Sequence, residues 1–389
     1  MSNIEKTDVC IIGSGPSGAA TSIMLSKLKI HHYIIDKSNF PRDKTCGDGL
    51  ILYAYKSMKL LGEDLFNEFL TSPKFIHSKK IELHINNDLD INFQESEDRD
   101  MVISYAKRID FDYFLVNQLS NEYATKNFGN AVKSFEVQPN GVLIKLKDKK
   151  EILAKIVVGA DGVQSIVSKK LANNKVDRKL SSTFISAYFE GVTEMPKGNN
   201  AEIRIIYNKM PLFFYIFPLA NGQVNVSLGG RSDNIKKYNI NLVDEIESIL
   251  VNHIKVKHKF KTSKRVGSWR GWGIPFHFKN QKIVGDHFLL VGDAAGLANA
   301  FYKEGVGTGM MSGIIAAKNI QKSLDNEDYS VKSLISYQED IKNEFGKLLN
   351  FSHLALRFSK FKQLFLLMVR LSKLRVERAS FGMIKRRSY

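Results

Sequence analysis

The residues of this chain that point to chemistry are glycines and carboxylates at fixed spacing. Gly13-Ser14-Gly15-Pro16-Ser17-Gly18 stands near the start. In such a run Gly13 permits a tight turn, Gly15 lets backbone approach a pyrophosphate, and Gly18 lets helix and strand pack closely. The helix start that carries Pro16 and Ser17 then faces the phosphates with free N–H groups. Asp36, just ahead of Lys37, is placed to take ribose hydroxyls and to repel a 2′-phosphate. A chance glycine loop is the competing reading; a strand before, a helix after and an acid beyond argue against it.

Three later clusters extend the pattern. Gly159-Ala160-Asp161-Gly162 follows an apolar run, and alone it reads equally as an ordinary Asp-Gly turn. Gly292-Asp293 follows another, and Asp293 can accept a hydrogen bond from a polyol hydroxyl. Lys303-Glu304-Gly305-Val306-Gly307-Thr308-Gly309 opens a helix. A reduced flavin carries negative charge near N1 and its C2 carbonyl, where a glycine-rich helix N-terminus supplies amide donors and a positive dipole end. Each cluster has a structural reading by itself. In this order they describe one FAD site assembled from distant stretches. No second Gly-x-Gly-x-x-Gly follows a strand, so an NAD(P)H donor would bind transiently, or a ferredoxin-type protein would bring electrons.

The elements that must hold these residues follow from hydrophobic period. Asp8–Ile12 reads as a buried parallel strand, 19–28 as a helix and His32–Ile35 as a second strand, which makes a beta-alpha-beta unit. Helical spacing predicts helices over Ile51–Phe69, Arg108–Ala124, Leu242–Ile254 and Met310–Leu324. Alternation predicts a hairpin over Ile81–Phe93, three strands between Val132 and Val158, and four more between Thr183 and Gly229. The expected fold is α/β: a discontinuous Rossmann-type FAD-binding domain, an inserted, mostly antiparallel sheet domain for substrate, and C-terminal helices. The expected bounds are 1–75, 101–180 and 268–340 for the first, 76–100 and 181–267 for the second, and 341–389 for the last.

Composition narrows the class. The 389 residues, 43% of them hydrophobic, are enough for a sizeable core and predict two to three domains. The formal net charge of +17 favours anionic surfaces. Cys10 sits in an apparent strand, so no structural disulfide with Cys46 is expected, and a reducing cytosol fits. No targeting signal is read, and no apolar run approaches the ~20 residues that span a bilayer. The nine histidines form no metal pattern, and no nucleophile elbow is present. Residues 342–389 hold twelve Lys or Arg against two Glu. There Phe351, Leu354, Phe358, Phe361, Phe365 and Met368 recur at helical spacing, widened by Leu364, Leu367, Leu371 and Leu374, with Arg357, Lys360, Lys373 and Arg375 interspersed. This reads as an amphipathic helix for the inner face of a membrane. The competing reading packs it on the protein, and no nucleic-acid motif accompanies the charge.

The order of motifs resembles the flavoprotein hydroxylase superfamily of the para-hydroxybenzoate hydroxylase type, and within it the geranylgeranyl reductase family, over residues 5–325. Phe40-Pro41-Arg42-Asp43-Lys44-Thr45-Cys46-Gly47-Asp48-Gly49 is similar to that family's Pro-Arg-x-Lys-x-Cys-Gly-Gly segment, which runs beside the flavin. Arg108-Ile109-Asp110-Phe111-Asp112 resembles its Arg-x-x-Phe-Asp, whose Arg contacts the cofactor. Phe213-Phe214-Tyr215-Ile216-Phe217-Pro218 is similar to its Tyr-x-Trp-x-Phe-Pro, which lines the substrate cavity, and Gly273-Ile274-Pro275 to a Gly-x-Ile-Pro element. Phe213 and Tyr215 stand where Tyr and Trp are usual, and Asp48 where a second Gly is common.

The resemblance implies cofactor contacts from the glycine clusters, Asp36, Lys37, Arg42, Cys46, Gly47, Arg108 and Val132. Arg42 could instead steer a nicotinamide cofactor or stay a solvated loop charge. Cys46 could donate a proton beside the flavin, sense redox state, or merely pack in a turn with Gly47. Phe213, Tyr215, Phe217 and Trp272 are expected to line a hydrocarbon cavity, with Trp269 at its edge; plain core is the alternative. The implied activity is FAD-dependent reduction of C=C bonds in a geranylgeranyl or polyprenyl lipid. The alternatives are a monooxygenase or halogenase acting on an aromatic or small hydrophobic substrate, and a membrane-associated flavoprotein without turnover.

Overall fold

A computed structural model describes residues 4–86, 89–94, 103–175, 178–276 and 281–367. One sheet is built on β1 (Glu5–Ile12), β2 (His32–Asp36), β8 (Ala124–Phe128), β11 (Glu151–Gly159) and β18 (Phe288–Leu290), all parallel. Its order is β17-β18-β11-β1-β2-β8, with β17 (Val284–Gly285) at one edge. The hairpin β9 (Val132–Gln138) and β10 (Gly141–Leu146) pairs onto β11. Val9 to Ile12 and Ile156 to Val158 are buried, as strands covered on both faces require. The helix α1 (Pro16–Lys27) joins β1 to β2, and the long α8 (Val306–Asp325) packs on α1.

The second sheet runs β16-β12-β15-β14-β13-β5-β6. Its strands are β5 (Lys80–Ile85), β6 (Leu89–Gln94), β12 (Ser181–Glu190), β13 (Ala201–Tyr207), β14 (Pro211–Pro218), β15 (Val224–Arg231) and β16 (Lys264–Pro275). All pairs are antiparallel except β13 with β5. A small third sheet, β3 (Gly49–Leu50), β7 (Ile103–Tyr105) and β4 (Ile76–Ser78), joins the loop after β2 to the rest. Side chains alternate across the second sheet. Leu212, Phe214 and Ile216 pack under the helix Leu242–Asn252, and Phe213, Tyr215 and Phe217 face the opposite way.

The elements differ from the sequence expectation at four places. The helix expected over Ile51–Phe69 is two, α2 (Leu52–Leu61) and α3 (Glu63–Thr71), because Gly62 breaks it at φ 152°. The helix expected to reach Ala124 ends at Asn117, as α4 (Arg108–Asn117), and Ala124 opens β8, whose exposed Thr125 and Lys126 hide its strand period. The boundary expected at 268 falls inside β16, which stays paired with β12 as far as Pro275. The helices α5 (Ile166–Lys170), α6 (Ser232–Lys237) and α7 (Leu242–Asn252) precede α8, and α9 (Val331–Phe358) follows it, crossing the boundary expected at 341.

The apolar positions from Phe351 onward do not form one face. Leu356, Phe365 and Leu366 are buried in the core of the second sheet, whereas Phe351, Leu354, Phe361, Leu364 and Leu367 are exposed. Met368, Leu371, Lys373, Leu374 and Arg375 lie outside the described residues.

Candidate functional site

The first glycine loop is locked by backbone. Gly13 N–H donates to Ile35 C=O at 2.7 Å, and Ala160 N–H to Ile12 C=O at 2.8 Å, so β1, β2 and β11 end together beneath the loop. A Cβ on Gly18 would lie 1.9 Å from the Gly13 carbonyl oxygen, so only glycine fits that approach. Gly15 caps α1 without a side chain, and Pro16 follows, which leaves the helix N-terminus open to an anion. Ser14 Oγ is buried there without a partner among the described residues. Asp36 accepts from the N–H groups of Ser14 (2.8 Å) and Ser38 (2.9 Å), while Lys37 is exposed. Val132 opens β9 two residues after Asn130, whose N–H donates to the Asp36 carbonyl at 3.1 Å.

Two guanidiniums overhang this loop. Arg42 and Arg108 nitrogens lie 3.5 and 4.0 Å from where a Gly15 Cβ would be. Both are held by Asp112, which is fully buried: Arg108 bidentately at 2.6 and 2.8 Å, Arg42 at 3.1 Å. Arg42 also reaches Asp36 at 3.7 Å. One carboxylate thus fixes two cations beside an open helix N-terminus, a donor set suited to a diphosphate. Asp112 was not singled out from sequence, although its i,i+4 spacing from Arg108 is a readable signal.

The later clusters converge on the same loop. A Cβ on Gly292 would come 2.9 Å from Ser17 Oγ, and Gly292 N–H donates to Ser312 Oγ of α8 at 3.0 Å. Asp293 lies 3.9 Å from Lys44 Nζ, and that amine is equally close to the Cβ position of Gly162. Asp161 spends one oxygen on α5, accepting from Ile166 N–H at 2.6 Å; its Oδ1 has no partner among the described residues, and burial pushes its carboxyl up. Gly305 and Val306 open α8, and the N–H of Gly307 donates to Glu304, which stands one residue before the N-cap. Burial pushes Glu304 up to about 7. Orphaned polar atoms, an open helix N-terminus and paired guanidiniums fit a flavin dinucleotide.

The Cys46 loop joins this region to the second sheet. The Arg108 guanidinium and the Asp48 N–H face the Cys46 sulfur. Burial pushes the thiol up, and the Arg108 charge opposes that. Asp48, at φ 65°, is 1% exposed. It accepts from Asn225 Nδ2 at 2.8 Å and from Arg108 N–H at 3.3 Å, and the Tyr188 hydroxyl faces it. Burial pushes its carboxyl up to about 7, against those hydrogen bonds and the Arg108 charge. Asn225 Nδ2 also donates to Cys46 C=O at 2.9 Å, and its Oδ1 accepts from Ser186 and Ser227. Asn225 and Ser227 were not picked out, yet polar residues at every second position of an apolar strand are a period-two signal.

Beside that loop the sheet presents aromatic rings. Trp272 meets Phe184 at 5.5 Å, Phe184 stacks on Tyr215 at 5.7 Å, Tyr215 on Phe217 at 5.3 Å, and Phe217 meets Tyr105 at 5.5 Å. Phe184 and Tyr215 belong to strands separated by β15, and they touch because Gly229 between them has no side chain: a Cβ there would be 2.4 Å from the Phe184 ring. The Phe217 ring lies 3.0 and 3.9 Å from the Cβ positions of Gly49 and Gly47. Tyr215 and Phe217 are buried in this row, while Phe213 lines a cavity of about 270 Å³ with Arg231, Leu356, Arg357 and Lys360. Trp269 is not at this edge. Three residues from Trp272, it points to the other face, against Phe189 at 5.7 Å, and its Nε1–H donates to Glu247.

Known proteins resemble the chain over most of its length. It is 25% identical over 353 residues to digeranylgeranylglycerophospholipid reductase 3 of Methanosphaera stadtmanae, covering 89% of this chain and 85% of that protein. It is also 25% identical over 339 residues to a 1H-pyrrole-2-carbonyl-[peptidyl-carrier protein] brominase of Pseudoalteromonas luteoviolacea, covering 85% of this chain and 80% of that one. The crystal structure of a geranylgeranyl bacteriochlorophyll reductase-like protein from Thermoplasma acidophilum shares the fold, with a TM-score of 0.81 at 19% identity over 93% of this chain and 90% of that one. The family described as FAD binding domain matches residues 6–350. The chain is therefore a member of that FAD-binding family of oxidoreductases, with the likeness to geranylgeranyl reductases that its motifs carry.

Proposed function

We propose that this protein reduces C=C bonds of a geranylgeranyl or polyprenyl-type lipid. The observation that carries the reading is the direct contact between the Cys46–Gly49 loop and the aromatic row, through Phe217. Such a row offers apolar ring faces to a hydrocarbon. The likeness to a phospholipid reductase supports the same class.

Bound FAD, once reduced, would supply a hydride to one alkene carbon. Gly13, Gly15, Pro16, Ser17 and Gly18 would hold its pyrophosphate with Arg42 and Arg108. Asp36 and Val132 flank the adenosine end with Lys37, and Asp161, Gly162, Gly292, Asp293, Gly305, Val306 and Gly307 flank the remainder. The Cys46 thiol gives the proton to the second carbon, and Arg108 takes up the charge left on sulfur. Phe213, Tyr215, Phe217 and Trp272 hold the chain. The exposed Phe351, Leu354, Phe361, Leu364 and Leu367, with Arg357 and Lys360 between them, support contact with an anionic membrane surface. The reductant is NAD(P)H or a ferredoxin-type protein.

The brominase relative favours one second reading, oxygen-dependent chemistry on a small aromatic substrate. The two are separated by reducing the FAD-bound protein without oxygen and adding a geranylgeranyl phospholipid. Flavin reoxidation with product gaining pairs of hydrogens is expected. Reoxidation only on admitting oxygen, with an oxygen or halogen atom added to an aromatic substrate, would overturn the reductase reading.

A further inference from the structure

We infer that Asp48 is a positioning residue that sets the charge of Cys46: carboxyl and thiol form one coupled acid pair under Arg108, able to hold a single negative charge between them. This deepens the proposed role of Cys46 as proton donor and rests on it.

Hydrogen bonds from Asn225 and Arg108 tie the two residues together. Asp48, left-handed at φ 65°, follows Cys46 by two residues, and its N–H faces the sulfur. Asn225 Nδ2 bridges Asp48 Oδ2 and Cys46 C=O at 2.8 and 2.9 Å. Arg108 meets the sulfur with its guanidinium and Asp48 Oδ1 with its backbone N–H. The charge of Arg108 is already shared with Asp112, which takes both its Nε–H and Nη2–H donors.

The remaining neighbours do not add a full compensating charge. Tyr188 comes from β12, with Lys107 Nζ over its ring at 4.9 Å. Asp43 and Lys44 come from the loop itself, Lys44 adding positive charge near the sulfur and Asp43 negative charge near Tyr188. Burial raises the energy of two adjacent anions far more than of one. Below about pH 7 the carboxyl keeps its proton, so a proton given up by the thiol to substrate leaves a single anion beside Arg108. Above that, the Asp48 charge holds the proton on sulfur, so proton donation slows as pH rises.

Cys46 alkylation by iodoacetamide in the FAD-bound protein reads the thiolate without any lipid substrate. Cys10 is fully buried, and Cys46→Ser supplies the background. Asp48→Asn keeps the neutral form at every pH, so near pH 8 its alkylation should exceed wild type about tenfold, as expected when a neighbouring charge shifts a thiol by about one unit. Tyr188→Phe removes a donor to the ionised carboxyl, so Asp48 stays neutral to higher pH and alkylation should fall between the two. An Asp48→Asn profile that overlays wild type would overturn the pair. If Asp48→Asn fails to retain FAD, an unchanged or slower Tyr188→Phe profile would overturn it instead. Because no alkene takes part, a shifted profile with no lipid reduction would leave the pair standing and remove the reductase reading. Lipid reduction with an unshifted profile would do the reverse.

Discussion

Around the glycine loops, backbone makes the site; on the sheet face that meets them, side chains do. At Gly18 and Gly13 the chain approaches itself so closely that a methyl group has no room, so the donors that meet a diphosphate are set by turn geometry alone. The aromatic row from Trp272 to Tyr105 instead depends on four strands of the second sheet holding register and on β7 of the third. The first kind of site fails wholly when one atom is added. The second yields in parts, because rings repack. A surface made by backbone is narrow in tolerance, and one made by side chains leaves room for change among relatives as different as a lipid reductase and a brominase.

The largest expected effect tests the backbone half. Gly18→Val places a branched side chain where the Gly13 carbonyl oxygen sits, 1.9 Å from the ideal Cβ. The variant should lose bound FAD entirely, read from the flavin absorbance of purified protein, and should melt at lower temperature than wild type stripped of FAD. A variant that purifies with a full flavin complement would break the distinction.

A smaller effect tests the side-chain half. Tyr215→Ala removes the central ring of the row between Phe184 and Phe217. Truncating a buried aromatic costs about 3–5 kcal/mol, so chemical denaturation should move clearly while flavin content at low temperature stays near wild type. Loss of flavin as complete as in Gly18→Val would show that the two halves are not separable.

The same contrast explains what the sequence made legible. Glycine spacing is local, so the loop and α1 were readable from motifs, and the order of the clusters assigned Gly292 to the same site without saying that it meets Ser17. Asp112 was passed over because nothing local says that its one carboxylate serves Arg42 as well as Arg108. The faces of Trp269 and Trp272 were confused because β16 was not recognised as a strand; its Gly267, Gly271 and Gly273 lower β propensity, and only pairing with β12 fixes it. Helical spacing placed Phe361 and Phe365 together, but Phe365 packs on Phe301 at 5.8 Å while Phe361 remains exposed. That division depends on a tertiary surface made by residues far earlier in the chain.

The smallest expected effect comes from two adjacent residues that serve the two halves. Glu304 accepts from Gly307 N–H of α8 on the cofactor side, while Lys303 Nζ lies over Phe213 and Phe276 at 5.1 and 5.4 Å on the sheet side. Burial moves both to about 7, Glu304 upward from 4.5 and Lys303 downward from 10.5. For Glu304 the unfolded chain ionises first, so its contribution is full below 4.5 and is lost as pH rises to about 7. For Lys303 the unfolded chain protonates first, so its contribution is full above 10.5 and is lost as pH falls to about 7. Glu304→Gln should therefore flatten the melting-temperature profile on the acid side of neutrality only, and Lys303→Met on the alkaline side only. Profiles that change on the same side would show that the pair titrates as one unit and that the boundary between the two halves does not run between these residues.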